Sequence, residues 1–315
     1  MRREAVLSSR IEGTVTSLSE LLLDEVEEGP PDNEADRREV RNYVSALDYG
    51  LRRLRDRPLS LNLVRDMHRI LLTGVRGSHG TPGEVRRDQN WIGAPFSTIE
   101  TADYVPPPPE LLMELLTDWE RFLHVTNEMP DLIQCAVAHE QFEAIHPFAD
   151  GNGRLGRLLV TLFLIERGRL SQPLLYLSAY IESRRDEYYD NLQRVRTDGD
   201  WRSWLLFFLT GVSQTAREGV QQAGELMDLR ETYRSRLSGK ARALALLDEL
   251  FRNPYITVAR AAERLAVSKP TATQAIDVLQ QNGMLQEVTG RPWRRIFVAM
   301  PILEALEGST QSQGP

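Results

Sequence analysis

The sequence predicts a mostly helical protein that ends in a small α+β module. Apolar residues recur at the three- and four-residue spacing of helices from about residue 37 to residue 237. Near the C-terminus, two short helical patterns are followed by two segments typical of strands. With 315 residues, 41% hydrophobic and 26% charged, the chain has the composition of a globular protein and the length for two cores.

The helical part divides at polar and glycine-rich breaks. Residues 74–82 are rich in Gly and Ser and predict a loop. Residues 201–219 are strongly apolar and predict a core segment, whereas residues 221–237 are charged and predict a connecting helix. Before these, we expect helices over residues 37–56, 60–73, 110–124 and 131–145, and another that begins after Asn152.

A block of twelve residues between two apolar helices concentrates the chemistry of the chain. Pro147 cannot continue the preceding helix, so His146 is predicted at its end, where an imidazole can act as a base. Gly151 and Gly153 allow close approach of a ligand at the start of the next helix, whose free N–H groups favour phosphate. The block reads His146-Pro147-Phe148-Ala149-Asp150-Gly151-Asn152-Gly153-Arg154-Leu155-Gly156-Arg157.

The charged residues of this block suit a nucleoside triphosphate. Arg154 and Arg157 lie three residues apart, near one face of the first helical turn, and guanidinium forks pair with phosphate oxygens. Asp150 is a hard oxygen ligand suited to Mg²⁺ between two phosphates. Each feature alone is ordinary turn or capping chemistry. Their combination at this spacing predicts a triphosphate site.

The block resembles the signature of the Fic family, His-x-Phe-x-(Asp/Glu)-Gly-Asn-Gly-Arg-x-x-Arg, at every fixed position. The resemblance implies an all-α Fic fold and transfer of AMP from ATP to a protein hydroxyl, with Mg²⁺ or Mn²⁺ as cofactor. His146 would be the general base, Asp150 would hold the metal, and Arg157 would hold the γ-phosphate. The residues expected to bind ATP are Gly151, Asn152, Gly153, Arg154, Leu155, Gly156, Arg157 and Tyr188.

Two further stretches extend the resemblance over about residues 1–225. Residues 87–109 are similar to the family's β-hairpin flap, in which Ile92, Gly93 and Ala94 would pair with the main chain of the target. Tyr188 would lie near the adenine or ribose. Core packing is the alternative for this tyrosine.

A motif near the start resembles the inhibitory helix of Fic proteins, with Ser8, Glu12 and Gly13 in its fixed positions. The resemblance implies that Glu12 pairs with Arg157 and occupies the γ-phosphate position. The alternative is a plain helix start, in which Ser8 is an N-cap and Glu12 an acidic residue of the first turn.

Residues 240–305 predict a winged helix-turn-helix, with helices over 241–251, 257–265 and 269–282 and strands over 285–288 and 294–298. Residues 240–300 hold nine basic and five acidic side chains, although the whole chain carries a net charge of −7. That asymmetry suits DNA, and protein docking or dimerisation is the alternative. The candidate DNA contacts are Lys269, Thr271, Arg291, Arg294 and Arg295.

We therefore expect an inhibitory segment over 1–35, a catalytic domain over 36–225, a connecting helix over 226–239, the winged helix over 240–305 and a disordered tail over 306–315. The single cysteine, Cys135, excludes an internal disulfide. No apolar run is long enough to span a membrane, and we expect a cytoplasmic protein. The leading hypothesis is an autoinhibited protein adenylyltransferase. The alternatives are a DNA-binding regulator that senses nucleotide, or a Fic protein that removes AMP or transfers another phosphate-containing group; a homodimer is compatible with each.

Overall fold

The computed structural model describes residues 1–27, 34–78, 80–93, 96–126 and 128–308, and it divides the chain into two compact units. The first unit comprises Met1–Thr16 and Asn33–Arg217, and the second comprises Ser17–Asp32 and Glu218–Pro315. The sequence suggested one N-terminal segment over 1–35. Residues 17–32 instead belong to the second unit, so the chain passes between the units three times.

Helices dominate the described residues, as expected. A 3₁₀ turn over Pro109–Leu111 precedes α5. The helices are α1 (Arg2–Ile11), α2 (Leu18–Asp24), α3 (Glu34–Arg53), α4 (Leu61–Leu71), α5 (Leu112–Leu123), α6 (Asp131–Ile145), α7 (Asn152–Glu166), α8 (Leu177–Ser183), α9 (Arg185–Asp198), α10 (Trp201–Arg236), α11 (Ala241–Leu250), α12 (Val258–Leu265), α13 (Lys269–Gln281) and α14 (Met300–Glu307), and the strands are β1 (Tyr255–Thr257), β2 (Gln286–Glu287) and β3 (Ile296–Val298).

The core of the first unit is built around the pair α6 and α7, which pack against each other. Both helices are buried around most of their circumference, which places apolar side chains such as Phe142 and Phe163 on several faces. Trp204 of α10 is fully buried and donates its indole N–H to the carbonyl of Ala136 at 2.9 Å. Helix α1 packs on α3, α7 and α8, which anchors the N-terminus beside the signature block.

The helix expectations were confirmed for long amphipathic segments and incomplete elsewhere. The apolar segment and the connecting helix form one continuous helix, α10, because no proline separates them and the single glycine at their junction, Gly219, costs a helix only about 1 kcal/mol. Helix α2 was not predicted, although Ser17 and Glu20 form a capping box at its start. Helix α8 was also missed. Both helices have only seven residues, too few to establish a helical period.

The second unit contains the expected helix-turn-helix and hairpin. Thr257 caps α12 by accepting a hydrogen bond from the N–H of Arg260 at 3.2 Å, and Ala266 adopts a left-handed conformation between α12 and α13. The strands form an antiparallel sheet in the order β1-β3-β2, in which β1 was not predicted. The expected tail from residue 306 is wrong for residues 306 and 307, which lie in α14; residues 309–315 lie outside the described residues.

Among the helices that the structure describes, none is long and apolar enough to cross a membrane.

Candidate active site

His146 lies where the sequence predicts, immediately after α6 and before Pro147. Its backbone is left-handed, with φ 47° and ψ 60°, a conformation that is uncommon for a residue with a side chain. The carbonyl of His146 accepts a hydrogen bond from Arg86 Nε at 3.0 Å, and the N–H of Arg86 bonds to the carbonyl of Pro147. These contacts hold the backbone of His146 and Pro147 in place after the helix ends.

The imidazole of His146 is neutral at physiological pH. Burial lowers its pKa to about 4, and the positive charges of Arg196 and Arg86 act in the same direction. Its Nδ1 has no hydrogen-bond partner among the described residues. A neutral imidazole accepts a proton at a ring nitrogen, so the ring is in the state that a general base requires.

The loop after His146 is braced by side chains from outside it. Asn152 Oδ1 accepts from the N–H of Phe148 at 2.9 Å, and its Nδ2 donates to the carbonyl of Phe148 at 2.8 Å. His68 Nδ1 accepts from the N–H of Gly83, so its Nε2 donates to the carbonyl of Asp150 at 2.9 Å. Gly151 closes the loop with φ 78°, a conformation that favours glycine.

Asp150 faces outward from this loop. Its side chain is 45% exposed, and its Oδ1 accepts from the N–H of Gly151 at 2.5 Å and lies 3.6 Å from Arg154 Nη2. No group of three or more His, Cys, Asp or Glu side chains among the described residues could hold a metal by itself. A single exposed carboxylate fits Mg²⁺, which binds one or two carboxylates together with substrate phosphates and water.

Arg154 is part of a buried ion-pair network that the sequence analysis missed. Its Nη1 donates to Glu39 Oε2 at 3.0 Å, and both side chains are almost fully buried. Arg76 pairs with the other oxygen of Glu39 at 2.9 Å. Since Glu39 and Arg154 are 115 residues apart in the sequence, no local pattern could have indicated that Glu39 belongs to the site.

Arg157 is held by the N-terminal helix. Its side chain is 2% exposed; Nε donates to Ser8 Oγ at 2.9 Å, and Nη2 donates to the carbonyl of Ser8 at 3.0 Å and to Glu12 Oε1 at 2.6 Å. A Cβ on Gly153 would lie 2.5 Å from the same Glu12 oxygen, so this carboxylate rests against the first turn of α7. The anion-binding start of α7 is therefore in contact with a carboxylate of the chain itself.

Glu12 and Arg157 each stabilise the ionised form of the other. Burial raises the pKa of Glu12, but the charge of Arg157 and its hydrogen bond outweigh that effect, so the pKa lies below its ordinary value. Burial likewise opposes the charge on Arg157, yet Glu12 raises the pKa of the guanidinium. Both groups stay ionised at neutral pH.

Helix α1 has a second buried anchor. Glu4 accepts hydrogen bonds from the hydroxyl and the N–H of Ser178, at the start of α8. Burial raises the pKa of Glu4 to about 6. Ser8 lies in the middle of α1 rather than at its start, so its interpretation as an N-cap is wrong. Gly13, with φ 95°, turns the chain immediately after Glu12.

The expected flap is present as a short antiparallel pairing of Ile92 with Tyr104, with N–H to carbonyl distances of 2.8 and 3.0 Å. Tyr104 donates to the carbonyl of Ala144, just before His146. Gly93 follows the pairing, and Ala94 lies outside the described residues. The flap is therefore attached to the end of α6.

Tyr188 is placed in the core. It is 1% exposed, and its hydroxyl donates to Nε2 of His139 at 2.8 Å, because Nδ1 of the same ring donates to the carbonyl of Gly156. This environment favours core packing for Tyr188. Leu155 is also fully buried, and Gly156 packs against Glu143, whose pKa burial raises to about 7.

Four of the five candidate DNA contacts line one cleft of the second unit, with a volume of about 500 Å³: Lys269, Arg291, Arg294 and Arg295. The hydroxyl of Thr271, the fifth, lies 2.9 Å from that of Ser268 at the start of α13. Trp293, at the tip of the wing, is 80% exposed.

Comparison with known families agrees with this geometry. The Fic/DOC family matches residues 58–164, and the Fic/DOC family N-terminal region matches residues 1–52, together about half of the chain. The chain belongs to the Fic/DOC family. Residues 241–286 match the winged helix-turn-helix DNA-binding family.

A curated relative supports the same membership, and two solved structures share the fold. A protein adenylyltransferase Fic from Culex quinquefasciatus is 32% identical over 160 residues, which cover 50% of this chain and 28% of that protein. The chain thus matches little more than a quarter of that relative's length. A Fic family protein from Desulfovibrio desulfuricans G20 shares the fold with a TM-score of 0.60 at 21% identity, covering 95% of this chain and 87% of the other. A Fic domain containing signaling protein from Bacteroides thetaiotaomicron has a TM-score of 0.56 at 19% identity, covering 70% and 85%.

Proposed function

We propose that this Fic protein is a protein adenylyltransferase that moves AMP from ATP to the hydroxyl of a Ser, Thr or Tyr side chain, and that Glu12 restrains it. The observation that carries the proposal is the Glu12 carboxylate between Gly153 and Arg157. A carboxylate in this position marks an anion-binding site, and the neighbouring neutral His146 supplies a base. The adenylyltransferases among the relatives support the same reaction.

His146 would accept the proton of the target hydroxyl as that oxygen attacks the α-phosphorus of ATP. The bond from the α-phosphorus to the oxygen bridging it to the β-phosphorus breaks, and pyrophosphate leaves. The free N–H groups at the start of α7 would stabilise the negative charge that develops on the α-phosphate. Arg157 would bind the γ-phosphate in a bidentate manner.

Asp150 would hold Mg²⁺ against the phosphates; when bound, the ion neutralises part of their charge. Glu39 holds Arg154 beside Asp150, so the two side chains that would face the phosphates are positioned before substrate binds. Because Tyr104 uses the N–H and the carbonyl of Ile92, an extended target segment would pair with the main-chain groups of neighbouring flap residues such as Gly93.

Glu12 would inhibit the reaction by occupying Arg157, the residue that would otherwise bind the γ-phosphate. Because its carboxylate bonds to Arg157 at 2.6 Å, ATP must either displace it or bind with its phosphates shifted. A 100-fold suppression of the competent state requires a difference of only about 2.7 kcal/mol between the two states.

The base assignment is tested by His146→Ala in a Glu12→Gly background. We expect no transfer of label from ATP carrying ³²P at the α-phosphate, while ATP binding measured by calorimetry is retained. Labelling of protein by the double variant would refute the role of His146. If Glu12→Gly itself binds ATP but does not label protein, AMP removal or another donor replaces the proposed reaction.

A second proposed activity is DNA binding by the winged helix. The clustering of Lys269, Arg291, Arg294 and Arg295 in one cleft, together with the family match, supports it. Protein docking or dimerisation is the alternative for this module. Fluorescence anisotropy of a labelled DNA duplex distinguishes them, since phosphate contacts make DNA binding weaken steeply with salt.

A further inference from the structure

Helix α2 is docked on the sheet of the winged-helix unit. The side chains of one α2 face and of Val26, two residues beyond the helix, are buried with residues from β1, β3 and α14. This apolar cluster consists of Leu18, Leu22, Val26, Tyr255, Ile296, Val298 and Leu303. Since α2 has only seven residues, it depends on this packing for its stability.

Polar contacts fix the C-terminal end of the same segment. Asn253 Nδ2 donates to the carbonyl of Leu22 at 2.9 Å and to Glu25 Oε2 at 3.1 Å. Arg260 Nη2 donates to the carbonyl of Glu25 at 3.1 Å. Arg260 belongs to α12, the first helix of the helix-turn-helix, so the end of α2 lies beside the elements that would face DNA.

The docked segment also lines the basic cleft. Val26 and Glu27 form part of its wall, together with Lys269, Arg291 and Arg294. The chain here carries three acidic residues within four positions, Asp24, Glu25 and Glu27. Of these three, Glu27 lines the cleft, so its carboxylate lies among cations that would bind phosphate in a DNA complex.

The other end of α2 is tied to the inhibitory glutamate. Only six residues separate the end of α1 from the start of α2, whereas twenty-two residues separate α1 from α3. Within the short connection, the hydroxyls of Thr14 and Thr16 are buried and have no hydrogen-bond partner among the described residues. The hydrogen-bonding capacity of these two hydroxyls is therefore unsatisfied while the connection is docked. Burial of unpaired hydroxyls is unfavourable, so it favours release of the connection.

We propose that DNA phosphate and the acidic end of α2 compete for the basic cleft, so that DNA binding releases α2 and weakens the hold of Glu12 on Arg157. The inference rests on the proposed transferase and DNA-binding functions, and it adds the link between them. Displacement of α2 requires no new contact at the active site. It lengthens the tether that keeps α1 close to Arg157.

The size of the effect follows from the tether. The effective concentration of a tethered group falls roughly as the −3/2 power of the tether length. Lengthening the tether from six to twenty-two residues therefore lowers the effective concentration of α1 about sevenfold. By reciprocity, any ligand that displaces α1 through this link raises the affinity for DNA by the same factor.

The experiment compares three full-length proteins with and without a mixed-sequence 30-base-pair duplex. They are the wild type, a variant with sixteen Gly/Ser residues inserted between Thr16 and Ser17, and a control with the same insert after Pro315. We measure hydrogen exchange of the α1 amides and self-labelling from α-labelled ATP. In the wild type and the control, DNA should speed α1 exchange and raise labelling about sevenfold.

The internal insertion should have the same effect as DNA. It lengthens the connection between α1 and docked α2 to twenty-two residues, the length that α1 would have to α3 after release of α2. Its labelling should be about sevenfold higher without DNA and should not rise further with it. Its affinity for DNA should be about sevenfold higher than that of the control, because the insertion removes the coupling by which docked α1 opposes release of α2. A wild-type protein that binds DNA with unchanged α1 exchange and labelling would overturn the proposal, as would an internal insertion that still responds to DNA.

Charge removal tests the competition directly. Glu27→Gln should tighten DNA binding about two- to fivefold, as expected for one exposed charge, whereas Glu307→Gln, outside the cleft, should not. Unchanged binding by Glu27→Gln, or no binding of DNA by any variant, refutes competition and leaves a protein-docking role for the cleft. If Glu12→Gly transfers no AMP, the transferase is wrong, and α1 exchange still decides whether DNA releases the helix.

Discussion

Replacing Ser8 with alanine should release part of the restraint on Arg157 while leaving Glu12 in place. The hydroxyl of Ser8 accepts a hydrogen bond from Arg157 Nε at 2.9 Å, and the serine is fully buried. A hydrogen bond to a charged group contributes about 1.5–3 kcal/mol. Because Arg157 keeps Glu12 and the Ser8 carbonyl as partners, we take the lower value, which corresponds to about tenfold weaker docking of α1.

Ser9→Ala is the matched control. Ser9 is the next residue of the same helix and is equally buried, but its hydroxyl has no hydrogen-bond partner among the described residues. Both substitutions raise helix propensity by the same amount. Self-labelling from α-labelled ATP should therefore rise about tenfold in Ser8→Ala and stay unchanged or fall in Ser9→Ala. Equal labelling of the two variants would refute the view that Ser8 restrains Arg157 through its hydroxyl.

Two further predictions concern the catalytic residues. Burial, together with the charges of Arg196 and Arg86, lowers the pKa of His146 to about 4. Only the neutral ring accepts a proton. The rate of AMP transfer by Glu12→Gly should therefore rise as the pH increases through about 4 and be constant near neutrality. A single-turnover profile with its midpoint near pH 6.5 would contradict this environment. Glu39→Gln should leave Arg154 without its buried counter-charge and lower transfer in the same background by tenfold or more. Removing one partner of a buried pair costs about 3–5 kcal/mol, and a loss of about 1.4 kcal/mol at the transition state is sufficient for a tenfold effect. Equal single-turnover rates would refute a positioning role.

Local patterns were sufficient to predict the signature block and its flanking helices. The position of His146 at the end of α6 follows from Pro147, and that of Gly151 from the turn that opens α7. These features depend on neighbours in sequence, so they can be inferred before any tertiary structure is known.

The contacts that join distant segments could not be predicted in the same way. Glu39 reaches Arg154 across 115 residues, and His68 reaches the Asp150 carbonyl across 82. Neither residue belongs to a motif, and each has an ordinary place on an amphipathic helix. Tyr188 shows the converse: its pattern suggested a nucleotide contact, but the partner of its hydroxyl is the buried His139.

The division of the chain into two units could not be predicted from the sequence either. A seven-residue helix is too short to reveal a period, and what anchors α2 is apolar packing with β1, β3 and α14. Strand β1 has three residues and is defined only by its pairing with β3. Short elements such as these acquire their structure from partners that lie far along the chain.

We propose that AMP transfer is restrained by the contact between Glu12 and Arg157. The most direct measurement compares wild type and Glu12→Gly for incorporation of ³²P into protein from α-labelled ATP, with γ-labelled ATP as control. We expect weak labelling of the wild type, strong labelling of the variant, and none from the γ-label. Equal α-labelling of the two proteins, or labelling from the γ-phosphate, would contradict it.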